Sequence, residues 1–297
     1  MLEPITSDKV LVGNQARARS RSLVRSLTPT NVALFVVLGV YLLIVLFPIY
    51  WIIVSSFKYP VDTMAIPPLF IFKPTLDAYL NVFAFNFYIR YFMNSVVVAI
   101  GTTVIALAFG SLAAYALDRL RFPGGDLIAY ILLTTRMIFP IVYAIPLFVL
   151  MQKFGLLESQ VGLIIAYTTF SLPYAVWIMQ GFFNGIPTDL DEAAMIDGCS
   201  RFGAFWRIIL PITAPGLAAA SVFVLMLAWN EFLFALVLAG AGQAKTLPVA
   251  AAQLIGQREI QWNELCAVAT ATIVPMIFFF VLVQKHLIRG MVAGAVK

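Results

Sequence analysis

Between two long apolar runs lies the segment Asp191-Glu192-Ala193-Ala194-Met195-Ile196-Asp197-Gly198, and nine residues further on the chain reads Ile208-Ile209-Leu210-Pro211. Carboxylates set among alanines and a glycine suit docking: small side chains let another surface approach, while the charges stay hydrated or paired. Leu190, Ala193, Ala194 and Asp197 follow the i, i+3, i+4, i+7 spacing of one helix face. Thr188 can cap that helix, with Asp191 at its third position in a capping-box-like arrangement. Asp189, Asp191 and Glu192 are favoured near the positive helix end. Gly198 suits a left-handed C-terminal end, and Ser200 can cap a second short helix through Phe202, Phe205 and Trp206. An amphipathic connector lying on a membrane surface has the same pattern.

Other chemistry-bearing residues are few. Arg136 and Glu231 interrupt otherwise uncharged apolar runs. Charges at that depth face protein or water, so they read either as a structural pair or partner contact, or as lining of a solute path. The stretch 241–264 holds Gln243, Gln253, Gln257, Arg258, Glu259, Gln261, Trp262 and Asn263. An amide-plus-tryptophan set suits sugar hydroxyls and equally an ordinary wet protein interface. His286 has no ligand neighbours, and Cys199 and Cys266 show neither CxxC nor metal spacing. No nucleophile, base and acid combine into a catalytic set, and no phosphate-binding GxxxxGK[ST] pattern occurs.

These residues sit on an extremely apolar chain: 62% of 297 residues are hydrophobic and 11% charged, against about 25% charged in soluble domains. The net charge of +5 fits basic residues at membrane boundaries better than nucleic acid. Apolar runs at 32–57, 91–117, 127–152, 159–188, 208–244 and 265–284 are each long enough for a span of about 20 residues. Backbone satisfaction in lipid demands helices, so the expected fold is all-α, a polytopic membrane bundle of six transmembrane helices. Asn94-Ser95 can cap the second helix and Ser159 the fourth. Pro48, Pro140, Pro146, Pro173 and Pro275 fall inside spans, as packing kinks or as gate elements. Pro60, Pro67, Pro68 and Pro74 discourage a helix between Lys58 and Tyr91. Twelve Lys and Arg fall on the side of the amino-terminal tail and six on the other, which puts both termini in the cytoplasm. The first apolar run is too long for a cleaved signal peptide. Residues 1–31 read as a cytoplasmic basic tail and 32–297 as the membrane domain.

The pattern Glu192-Ala193-Ala194, three residues, Gly198, nine residues, Ile208, one residue, Leu210-Pro211 resembles the cytoplasmic loop motif of permease subunits of ATP-binding-cassette (ABC) importers. Over about residues 32–297 the chain is similar to the smaller, six-span permease of maltose-type carbohydrate transporters. Ala228-Trp229-Asn230-Glu231-Phe232 and the tail 289–297 add to the likeness. The resemblance implies a type I importer permease fold in a bacterial inner membrane and a non-catalytic pore subunit. It implies a second homologous permease, two ATPase subunits that bind ATP and Mg, and an extracytoplasmic solute-binding protein. On this sequence the coupling loop is then about 185–207. Glu192, Ala193, Ala194, Asp197, Gly198, Leu210 and Pro211 are its ATPase contacts; Trp229, Asn230, Glu231 and Arg136 belong to the solute path. Gln253, Gln257 and Trp262 belong to the loop that meets the binding protein, and the tail touches the ATPases. No cofactor is expected in this subunit, and its other partner is membrane lipid. From another class, a secondary transporter or channel without ATPases would show paired broken helices and internal repeats.

Overall fold

The computed structural model describes residues 29–85, 88–120, 122–255 and 260–295. The expected contact Gln257, the tail before residue 29 and the side chains of His286 and of 289–297 lie outside the described residues. Among the described residues there is no strand. The chain divides into two units, Met1–Val54 and Ser55–Lys297.

The described part of the first unit is helix α1 (Pro29–Ser55), which continues through Pro48 and stacks Phe47 on Trp51 with ring centres 6.1 Å apart. Its 27 residues extend about 40 Å at 1.5 Å each, more than a hydrocarbon core of about 30 Å.

The second unit begins with an irregular stretch pinned by Lys58. That side chain is buried, donates to Leu69 O at 2.7 Å and lies over the Phe72 ring. Then come α2 (Tyr88–Arg119), α3 (Gly125–Thr135), α4 (Pro140–Lys153) and α5 (Gln160–Phe183). The short helices α6 (Asp189–Ile196) and α7 (Arg201–Ala204) follow, and α7 runs on as wide and single turns to Ile212. The chain ends with α8 (Ala214–Trp229), α9 (Leu233–Ala239), α10 (Leu247–Ile255) and α11 (Trp262–Ala295).

α1, α2, α5 and the first 20 residues of α11 are long and apolar enough to cross a membrane. The count reaches six only if two bent pairs are each one span. One is α3 with α4, bent by 102°; Phe139 ahead of Pro140 is extended, as the clash with a following proline ring requires. The other joins residues 201–212 to α8 at 79°. The expected fifth span, 208–244, is not one helix, because it breaks between Trp229 and Leu233.

The centre is α2 against α5, with α8 across both and α11 on α8. Small residues allow it: Ala106, Ala114, Ala166 and Ala175 are fully buried, and a Cβ on Gly110 would stand 2.7 Å from that of Ala175. In lipid, where burial supplies little drive, close backbone approach of this kind holds helices together. Towards the α6 end of α2 and α5 the core is Tyr115, Met179, Phe183, Phe205 and Ile209. Towards the other end it is Val98, Leu163, Tyr167, Trp229, Phe234 and Leu238.

Candidate functional site

α6 is held from behind. Asp191 is 7% exposed and Ala194 2%, while Leu190, Glu192, Ala193, Met195, Ile196, Asp197 and Gly198 are exposed. This corrects the expected face of Leu190, Ala193, Ala194 and Asp197: Ala194 turns inward and is buried by its own chain. Thr188 is helical and makes no capping bond. Asp191 is no capping-box member either, because stronger partners claim it. The Tyr115 hydroxyl donates to its Oδ1 at 2.6 Å, and Arg119 Nε lies 3.0 Å from its Oδ2.

The two ends of the turn after α6 form as expected. Gly198 has φ +87°; its N–H donates to Met195 O at 3.1 Å and the Cys199 N–H to Ala194 O at 2.9 Å. That pair of bonds is the Schellman closure, which satisfies the last carbonyls of the helix. Ser200 Oγ accepts from Gly203 N at 3.1 Å and starts α7. Residues 197–200 with Phe202, Gly203, Trp206 and Arg207 line a concavity. Around it Ile196, Phe202 and Trp206 are 86%, 64% and 60% exposed, the two rings stacked with centres 6.4 Å apart. Ile209 is buried behind them, Leu210 half-buried, and Pro211 exposed.

The residues assigned to a solute path do not gather in one place. Trp229 is 2% exposed; its Nε1 donates to Thr272 O at 3.2 Å and its ring meets Phe92 edge-on. It is structural here and presents no face for stacking. Asn230 is exposed and donates to Met226 O at 2.8 Å. Glu231 accepts from Phe234 N at 3.0 Å and Ala235 N at 3.1 Å. It therefore restarts the chain as α9 after the break, satisfying amides that have no intrahelical acceptor. Arg136 ends α3 with its guanidinium 3.9 Å from the Tyr174 ring centre and 5.2 Å from that of Trp177. Its Nε finds no acceptor.

The segment after α9 is sewn to its surroundings. Glu158 accepts from Ala241 N at 3.2 Å and Gly242 N at 2.8 Å, and its own N–H donates to Leu238 O at 2.9 Å. Asn94 donates to Gln243 O and Lys245 O at 2.8 and 2.9 Å and accepts from Gln160 at 2.7 Å. Ser95 accepts from Leu247 N at 2.8 Å, and Arg90 donates to Gln243. Asn94-Ser95 thus lie inside α2 and do not cap it. Ser159 does cap α5, accepting from Gly162 N at 3.0 Å. Gln253 accepts from Lys245 at 2.7 Å and donates to Gly240 O at 3.0 Å; Trp262 is partly exposed.

Tyr115, Arg119, Glu158 and Gln160 were given no role in the sequence, and Asn94 and Ser95 were given a different one. One signal was present: polar residues on otherwise apolar helices, whose partners lie far away in sequence.

Three comparisons bear on the whole. Residues 106–293 match the family described as binding-protein-dependent transport system inner membrane component. A trehalose transport system permease protein, SugB, of Mycobacterium tuberculosis is 37% identical over 254 residues, 85% of this chain and 92% of that protein. A trehalose/maltose transport system permease protein, MalG, of Thermococcus litoralis is 36% identical over 86% of this chain and 92% of its own length. A sulfoquinovosyl glycerol transport system permease protein, SmoH, of Agrobacterium fabrum is 35% identical over 89% and 93%. A solved bacterial ABC transporter involved in the import of the acidic polysaccharide alginate shares the fold. It matches at TM-score 0.71 and 23% identity over 89% of this chain and 98% of that one.

Proposed function

We propose that this chain, which belongs to the family of binding-protein-dependent transport system inner membrane components, forms one half of the pore of an ATP-powered carbohydrate importer. The observation that carries the reading is the arrangement around α6. A helix gripped on its inner side by Tyr115 and Arg119 exposes Ile196, Phe202 and Trp206 beside a concavity. Exposed apolar groups rimmed by polar ones mark interaction surfaces. The occupant is a cytoplasmic ATPase subunit, contacted through Glu192, Ala193, Asp197 and Gly198. Two such subunits bind and hydrolyse ATP with Mg, and a second permease completes the pore.

The positive-inside tally puts both termini on the ATPase side. On the far side the segment 240–262 then meets a solute-binding protein, with Trp262 and Gln257 as contacts. A carbohydrate cargo is supported by relatives named for trehalose, maltose and sulfoquinovosyl glycerol transport. Asn230 and Arg136 are the residues of this chain kept for the solute path; Glu231 serves it by holding the break open.

Purification from native membrane tests the reading. The expected product holds ATPase subunits and a second permease in fixed stoichiometry, and uptake in vesicles needs ATP inside. A homo-oligomer that transports without ATPases would overturn it in favour of a secondary transporter.

A further inference from the structure

One side chain at the end of α2 touches three helices. An arginine carries five N–H groups in a planar fork, and Arg119 uses that geometry in three directions. Its Nε lies 3.0 Å from Asp191 Oδ2 on α6, and Nη1 lies 3.1 Å from Asp118 Oδ2. Nη2 donates to Phe183 O at 3.2 Å and to Ile186 O at 2.7 Å, at and just beyond the end of α5. The last carbonyls of a helix lack intrahelical partners and carry partial negative charge, so a guanidinium is favoured there twice over. One turn earlier on the same face of α2 stands Tyr115, whose hydroxyl holds the other oxygen of Asp191 at 2.6 Å. Its ring lies against Phe183 at the end of α5 and against Phe205 just after α7, with centres 5.9 and 5.0 Å apart.

The carboxylate of Asp191 therefore accepts a hydrogen bond from Tyr115 at Oδ1 and forms an ion pair with Arg119 at Oδ2. Arg119 is itself fixed by carbonyls of α5 and the turn after it, while its Nε and Asp191 Oδ2 complete no hydrogen bond. All the charges involved are largely shielded: the Arg119 and Asp191 side chains are 9% and 10% exposed. Slippage by one partner would strand an unpaired charge, which burial makes steeply unfavourable. Glu192, one residue on, is exposed. Two adjacent carboxylates thus face opposite ways, one outward and one into the chain.

We infer that Asp191, Tyr115 and Arg119 are positioning residues that lock α6 to the ends of α2 and α5, so that force applied to α6 moves all three as one body. This rests on the coupling reading above. The lock ties the docking face to the two helices at the centre of the fold. Closely packed interfaces shift between discrete arrangements and do not deform continuously, so the motion passes undiminished into α2 and α5.

The test uses the complete importer in lipid vesicles, with Cys199→Ser and Cys266→Ser to clear the native thiols. Spin labels at Val104→Cys on α2 and Asp189→Cys on α6 report the distance between the two helices by pulsed electron resonance. It is read without nucleotide and after trapping with MgATP and vanadate. With the native lock, one narrow distance is expected, unchanged by trapping. With Asp191→Asn, the distribution should broaden and shift by about 2 Å or more on trapping, while the ATPase subunits still co-purify. Tyr115→Phe keeps the ring and loses one bond; it should broaden the distribution less, and it carries the test if Asp191→Asn does not assemble. A native distance that itself shifts on trapping overturns the inference, as do variants that keep the native distance in both states; lowered yield alone, with that distance intact, marks a merely structural role. If the ATPase subunits never co-purify with the unsubstituted chain, the coupling reading fails and the inference with it.

Discussion

Two segments near α8, one before it and one beyond α9, are built on opposite plans. The one before it, residues 184–213, turns the carboxylate of Asp191 inward and leaves Ile196, Phe202 and Trp206 open. The other, residues 240–255, is tied to its own chain by hydrogen bonds with Arg90, Asn94, Ser95, Glu158 and Gln253. Polar composition alone would rank the second as the better binding surface. We read them the other way, because a polar group already bonded offers less to a partner than a large apolar group left uncovered by its own chain.

If that contrast is right, substitutions in or against the bonded segment beyond α9 should lower stability, and truncation of the exposed apolar side chains before α8 should lower docking. The largest effect is expected from Asn94→Ala, which removes three hydrogen bonds at once and leaves two carbonyls without their donor. A loss of about 3 kcal/mol should appear as a lower unfolding temperature in detergent, with ATPase binding by the surviving molecules unchanged. An unaltered unfolding temperature would break the contrast. Next, Trp206→Ala should weaken docking by about 2 kcal/mol, roughly 30-fold in affinity. It should leave unfolding untouched, and titrating the ATPase subunit onto the permease pair in nanodiscs measures both. Gly198→Ala comes third. Its Cβ would meet open space, yet φ of +87° opposes any side chain by about 1–2 kcal/mol, so unfolding temperature should fall modestly. Gln253→Ala should matter least, at about 0.5 kcal/mol for exposed hydrogen bonds. A large loss of binding-protein affinity in that variant would show that this segment also offers Gln253 to a partner.

What could be read from the sequence follows the range of each interaction. The continuous helices α2, α5 and α11 were legible because lipid imposes about 20 apolar residues on any span. The caps at Ser159 and Ser200 and the left-handed Gly198 were legible because their partners lie within a few residues. Asn94 was misread as a cap because the carbonyls it serves belong to Gln243 and Lys245, about 150 positions away. Asp191 was misread for the same reason: a local amide competes poorly with a tyrosine and an arginine brought in by the tertiary fold. Trp229 beside Asn230 suggests a stacking platform until packing turns its ring onto Phe92 and its N–H onto Thr272. The break in the fifth apolar run could not be read from hydropathy at all. Only the two amides accepted by Glu231 explain why the chain restarts there.

The stitching of residues 240–255 also governs how this importer can be recombined with its relatives. A segment whose amides end on Glu158 and whose carbonyls end on Asn94 is not an interchangeable part. Transplanted alone into a relative without matching side chains at those places, it would carry carbonyls without their donor and amides without their acceptor, and a Cβ on Gly242 would clash with Glu158 Oε2. The unit of exchange is the segment together with positions 90–95 and 158–160. Chimeras cut at those borders should fold, whereas swaps confined to the loop should not.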